Sequence, residues 1–241
     1  MTGRRFFLTV GLATYVILDV LFAVVGVFTT PRAAHDMTTA WDSRIPLVPQ
    51  FIWAYMAFWA FPFVPFLVVR DWHRFNRFVI SGILVSVTAW AAYLAWPVVV
   101  SRPELGNSLS ERLLSAVYRF DDIRTGANNF PSLHVACAWL VVACCRRQGL
   151  SRPVEGSITL VAAAITASTV LARFHVLLDV GAGLLWAWGS WVAAGAVYRR
   201  WAPSGAGPED ALRAVGSRAW LAISGGPGRL VRQPQTEEPE P

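Results

Sequence analysis

The sequence predicts an all-α bundle of six transmembrane helices. Three observations carry that expectation: 55% of the 241 residues are hydrophobic, the mean hydropathy is positive, and the apolar residues fall in long blocks rather than in short amphipathic stripes. A water-soluble domain of this length must wet its surface and seldom reads so apolar. A helix needs roughly 20 apolar residues to cross about 30 Å of hydrocarbon.

The first block, Phe6–Phe28, follows Arg4-Arg5. A twin-arginine export signal is the competing reading, but the run is too long for a signal core and more membrane-type sequence follows it. The second, Gln50–Val69, contains Pro62 and Pro65, which a span tolerates where the freed carbonyls find other partners. Phe78–Val100 is the third. Pro131–Cys145 and Gly156–Leu171 are shorter, and Val176–Tyr198 completes the set. Tryptophans near block ends, such as Trp53, Trp72, Trp96 and Trp201, suit the interfacial belt.

The net charge of +6 comes from arginine, as the chain contains no lysine. These arginines sit at the ends of apolar blocks, an anchoring pattern that argues against nucleic-acid binding. Counting basic residues on alternate sides puts Arg70, Arg74, Arg77, Arg146, Arg147, Arg199 and Arg200 with the N-terminus. The positive-inside rule then predicts cytoplasmic termini in a bacterial-type inner membrane, with the loops after the first, third and fifth spans facing outward. Cys137, Cys144 and Cys145 share one apolar block and read as packing residues.

The outward loop Ser101–Phe130 carries its own helix signal. Ser108 and Glu111 form a capping box, and Leu109, Leu113, Val117 and Phe120 mark an apolar stripe. This predicts a short amphipathic helix on the outer leaflet. Residues 1–201 are expected to form the membrane domain. In the cytoplasmic tail 202–241, a surface helix over Glu209–Ile223 is expected, with disorder over Gln233–Pro241.

Two of the four histidines stand out. His134 lies in Asn129-Phe130-Pro131-Ser132-Leu133-His134, and His175 lies four residues before Asp179, on one helical face. Ionisable groups at the edge of an apolar span are expensive and usually have a task. An imidazole whose Nδ1–H donates to a carboxylate keeps Nε2 unprotonated and aimed. Such a nitrogen attacks phosphorus, a second histidine handles the alkoxide proton, and guanidinium groups hold the phosphoryl oxygens. His35 and His73 read as loop residues. Asp42 with Arg44 reads as a loop ion pair or a substrate contact, and Asp19 as a span residue paired with a polar neighbour. Gly181 and Gly183 read as helix-packing positions.

Pro131-Ser132-Leu133-His134, Ser168-Thr169-x5-His175-x3-Asp179 and Arg102-Pro103 together resemble the motifs of the type-2 phosphatidic acid phosphatase superfamily. That resemblance spans roughly residues 42–183. It implies a nucleophilic His175, an orienting Asp179, an acid/base His134, and phosphate contacts from Arg102 and Ser132. Three positions depart from the family pattern. Ala95 stands for its lysine, Thr169 for its second arginine and Leu133 for its glycine, so two of three positive phosphate contacts are missing. The thinning, together with Asp42-Ser43-Arg44-Ile45-Pro46 and Ser101-Arg102-Pro103-Glu104, looks like the inositol phosphorylceramide synthase and sphingomyelin synthase branch. Arg44, Arg124 and Arg173, all in outward loops, are the candidates to replace the lost charge.

The expected function is transfer of a lipid phosphate head group to an alcohol or polyol acceptor through a phosphohistidine. Hydrolysis of the same lipid phosphate ester is the alternative, and a non-catalytic lipid carrier is a third reading of another class. No cofactor or metal is expected, because the carboxylates are too sparse for a Mg²⁺ cage. The sequence leaves the oligomeric state, the lipid and the acceptor open.

Overall fold

A computed structural model describes residues 3–29, 34–124 and 127–201 of the chain. The side chains of Arg4, Phe6, Phe7, Ile123, Arg124 and Trp201 lie outside that description, as do Arg32 and both tail segments read above.

Nine helices account for most of the described residues: α1 (Gly3–Thr29), α2 (Ala40–Arg44), α3 (Ile52–Ala57), α4 (Val64–Val68), α5 (Trp72–Ala95), α6 (Leu109–Arg124), α7 (Leu133–Cys145), α8 (Arg152–Leu171) and α9 (Leu177–Trp201). Two short strands, β1 (His35–Asp36) and β2 (Val98–Val99), pair in parallel. The all-α class therefore stands.

Five segments are long and apolar enough to cross a membrane: Leu8–Thr29, Pro49–Val68, Trp72–Ala95, Arg152–Leu171 and Leu177–Arg200. The sixth expected span, Pro131–Cys145, is a correction. Its helix α7 has 13 residues, about 20 Å at 1.5 Å per residue. Ser132 caps it at one end, its hydroxyl accepting from Val135 N–H. At the other, Arg147 adopts a positive φ of 61°. Most of α7 is buried, Val135, Ala136, Ala138, Leu140 and Val141 each being at most 1% exposed. It is the packed centre of the bundle against α5 and α8, and a helix shielded by protein is free of the length that lipid imposes.

Other boundaries shift for local reasons. The third span begins at Trp72 rather than Phe78, because the Asp71 carboxylate accepts from His73 and Arg74 N–H and starts α5 early. It ends at Ala95 because Pro97 has no N–H to continue it. The second span is broken: between α3 and α4 the amides of Trp59, Ala60 and Phe61 bond three residues back. This tighter turn satisfies the carbonyls that Pro62 and Pro65 leave behind.

The end of the bundle that carries His134 is tied by backbone and amide bonds. Val98 N–H donates to the Ala127 carbonyl, Asn129 Nδ2 donates to the Val98 carbonyl, and Thr29 Oγ1 donates to Asn128 Oδ1 at 2.6 Å. Tyr93 Oη donates to the Pro131 carbonyl. At the crossing of α7 and α9, a Cβ on Gly183 would lie 2.7 Å from the Ser132 carbonyl, so only glycine permits this approach. Gly181 has open space, and of the two glycines only Gly183 fits the packing expectation.

The apolar face of α6 differs from its expected stripe. Leu114 and Tyr118 are buried against Ile52, Tyr55, Ala172 and Phe174, whereas Leu109 and Phe120 are exposed. Tyr118 Oη donates to the Ala172 carbonyl. Burial pushes this phenol up to about 12 against the opposing pull of Arg102 and Arg173, so it stays a donor. The helix packs on protein rather than lying free, because the turn between α8 and α9 offers it an aromatic seat.

Candidate active site

The turn joining α8 to α9 is built by one residue in an uncommon conformation. Arg173 has a φ of 54°, and the reversal lets Phe174 and His175 N–H both donate to the Thr169 carbonyl at 2.9 Å. His175 therefore stands just ahead of α9, 5% exposed. Its Nδ1 lies 3.1 Å from Asp179 Oδ2, the same oxygen that accepts from Val176 N–H at 3.1 Å. Asp179 is fully buried, and its Oδ1 has no hydrogen-bond partner among the described residues. Nothing among them hydrogen-bonds His175 Nε2.

His134 lies in the first turn of α7. Ser132 N–H donates to the Asp179 carbonyl at 3.2 Å, which locks that turn to α9. The two imidazole rings consequently lie 5.7 Å apart, centre to centre, on the same end of the bundle. His134 Nε2 shares a hydrogen bond with Tyr55 Oη at 2.9 Å. Tyr55 stacks on Phe174 at 3.8 Å and 10°, and Phe58 packs on the other histidine ring at 4.4 Å.

Arg102 reaches this centre from the loop after α5. Its Nη1 donates to the Arg173 carbonyl, and its Nη2 lies 2.7 Å from Asp121 and 3.4 Å from Asp122. The guanidinium lies over the Tyr118 and Phe174 rings, and its buried Nε has no partner among the described residues. It is thus next to His175 in the chain fold but held by two carboxylates.

The remaining sequence candidates have other surroundings. The Ser132 hydroxyl caps α7. Arg44 is exposed and lies over Trp41, making no ion pair with Asp42 among the described residues. Arg173 donates to the carbonyls of Asp42 and Ile45. The side chain of Arg124 lies outside the described residues. Thr169, at the position of the family's second arginine, is buried and donates back to Thr166.

Asp42 is structural in this arrangement. Its Oδ1 accepts from Leu177 N–H at 2.7 Å and its Oδ2 from Thr39, so it satisfies an orphan amide at the start of α9. Burial pushes its carboxyl up, but the hydrogen bonds from Thr39 and Leu177 outweigh this and hold it below the usual range. Asp42 and Arg173 together staple the 39–48 segment to the α8–α9 turn.

An apolar groove opens beside the histidines, with an empty volume of about 1200 Å³ including its mouth. Tyr55, His134 and Asp121 line it, with Asp19, Gly82 and Trp90 on its α1 and α5 walls. His175 is not among its lining residues. Sequence reasoning missed Tyr55: 79 residues separate it from His134, and no local spacing signals such a contact.

Among the described residues no group of three or more His, Cys, Asp or Glu is arranged to hold a metal ion. The three cysteines are free thiols. Compared with protein-family models, curated proteins and solved structures, the chain gives no match. Its function must therefore be argued from its own residues.

Proposed function

We propose that this chain is an integral-membrane lipid phosphoesterase of the type-2 phosphatidic acid phosphatase kind that transfers a lipid phosphate head group to an alcohol through His175. The observation that carries the reading is the buried His175–Asp179 pair with a second imidazole 5.7 Å away, beside a groove of lipid-like character. Asp179 holds Nδ1, leaving Nε2 as the nucleophile. As the Nε2–P bond forms and the ester P–O bond breaks, His134 gives its proton to the leaving alkoxide. His134 then takes the proton of the incoming hydroxyl as the N–P bond breaks.

Arg102 is the charge nearest the reacting centre, and for phosphate to use it the oxygens must compete with Asp121 and Asp122. Ser132 contributes by fixing the turn of His134. The positive-inside pattern favours cytoplasmic termini and a site on the outer face of a bacterial-type plasma membrane. Hydrolysis uses the same nucleophile, so the phosphatase reading stays beside transfer; burial of His175 favours transfer, since water has little access. The carboxylate-held Arg102 favours the third reading, a lipid carrier without chemistry.

Purified protein given a head-group-labelled lipid phosphate and an added alcohol separates the three. Label on the alcohol supports transfer, free labelled phosphate supports hydrolysis, and tight binding with neither product supports the carrier.

A further inference from the structure

We propose that the groove beside His134 is a binding site for a long-chain alcohol, occupied in turn by the leaving lipid and by the acceptor. This rests on the phosphohistidine reading and adds to it where the alcohol lies.

The groove's walls come from α1, α3, α5 and α7 and are mostly apolar, with Leu18, Phe22, Phe78 and Leu140 among them. Such a lining recognises a hydrocarbon chain but no polar head. Its polar groups are few: Tyr55, His134 and Asp121 on α3, α7 and α6, Asp19 on α1, and Trp90 on α5. The Trp90 indole N–H is buried and has no partner among the described residues. A buried donor without an acceptor normally marks an absent partner, and a hydroxyl oxygen satisfies it.

Two contacts connect the groove with the reacting centre. His134 lines the groove and also faces His175. Asp121 lines the groove and pairs with Arg102. His175 lies outside the lining, so the groove is on the acid/base side of the centre. In-line displacement at phosphorus puts attacking nitrogen and departing oxygen on opposite faces. The oxygen that leaves His134's side in the first step is replaced there by the oxygen that attacks in the second. Phosphorus passes from the first alcohol to His175 and then to the second, and the single proton passes out from His134 and returns to it. One groove then serves both alcohols, and both must be lipids rather than water-soluble polyols.

Gly82 gives the test a handle, because it lines the groove and a Cβ there meets nothing within 4 Å. The probe is a photoactivatable long-chain primary alcohol, added to the full chain in nanodiscs. Labelling is expected on the α1 and α5 walls, and an unlabelled long-chain alcohol should compete about tenfold better than an alkane of equal length, the worth of one hydrogen bond. Gly82→Phe and the smaller Gly82→Leu should both reduce labelling, with unfolding midpoints like the wild type. His175→Asn should leave labelling unchanged. Undiminished labelling in folded Gly82→Phe and Gly82→Leu, or equal competition by the alkane, overturns the proposal. Hydroxyl-dependent labelling in a protein that transfers no phosphate would instead refute the phosphohistidine reading and leave the alcohol site standing.

Discussion

One oxygen of Asp179 performs two tasks, and at the scale of single residues this is the detail on which the site turns. Oδ2 caps the start of α9 through Val176 N–H and holds His175 Nδ1, while Oδ1 is buried without a partner among the described residues. Asp179→Asn keeps the shape but offers the imidazole an amide, and turnover should fall by about 10²–10⁴-fold, as when a histidine loses its orienting carboxylate. A loss below tenfold in a steady-state assay would reduce Asp179 to a helix cap. Tyr55→Phe removes the partner of His134 Nε2, and a roughly tenfold fall with a displaced pH–rate profile is expected if the phenol positions that ring. An unchanged profile would make Tyr55 a packing residue. The histidine–aspartate spacing was legible in the sequence because it is local, four residues on one helical face. Tyr55 was not, since its meeting with His134 depends on how α3 packs. Arg44 and Arg173 were read as charges for phosphate because a sequence shows charge but not its partners. Trp41 lies beneath Arg44, and the carbonyls of Asp42 and Ile45 accept from Arg173.

At the scale of elements, the start of α9 is where separate parts of the chain converge. Asp42 from α2, Ser132 ahead of α7 and the turn after α8 all bond to it. Replacing Gly183 by alanine forces a methyl group towards the Ser132 carbonyl and Val135. It should cost about 1–3 kcal/mol by overpacking, while Gly181→Ala is neutral or stabilising as a better helix former. Unfolding midpoints in detergent compare the two, and equal values would contradict the close crossing. Asp42 adds a dependence on pH. Folding lowers its pKa, so its stabilisation is complete above the ordinary carboxylate value of about 3.9 and is lost as pH falls through the lower folded value. The midpoint difference between wild type and Asp42→Asn should therefore be largest near neutrality and shrink in acid; a constant difference would contradict it. The sequence showed the capping box of α6 plainly, with Glu111 accepting from Ser108 and Gly106. It did not show which face of α6 is buried, because Leu114 and Tyr118 read no differently from Leu113 and Val117 until the aromatic seat beneath them is known.

For the molecule as a whole, apolar block length was a good guide to five spans and a poor one to α7. Hydropathy measures what lipid demands of a helix, and α7 is surrounded by protein, so its length answers to packing instead. Elsewhere the exposed apolar faces of α1 and α9, such as Val16, Val20, Val27, Leu185 and Trp188, are those a bilayer would cover. The end-to-end arrangement brings His134 and His175 from opposite sides of α8 in sequence to one centre, something motif order alone could not guarantee. The central claim is that His175 carries phosphorus. Rapid quenching of the protein with a phosphate-labelled lipid, followed by peptide mapping under alkaline conditions that preserve phosphohistidine, tests it most directly. The account predicts acid-labile label on the peptide containing His175, lost in His175→Asn together with turnover. Turnover by His175→Asn at the wild-type rate, or label on another residue, would contradict it.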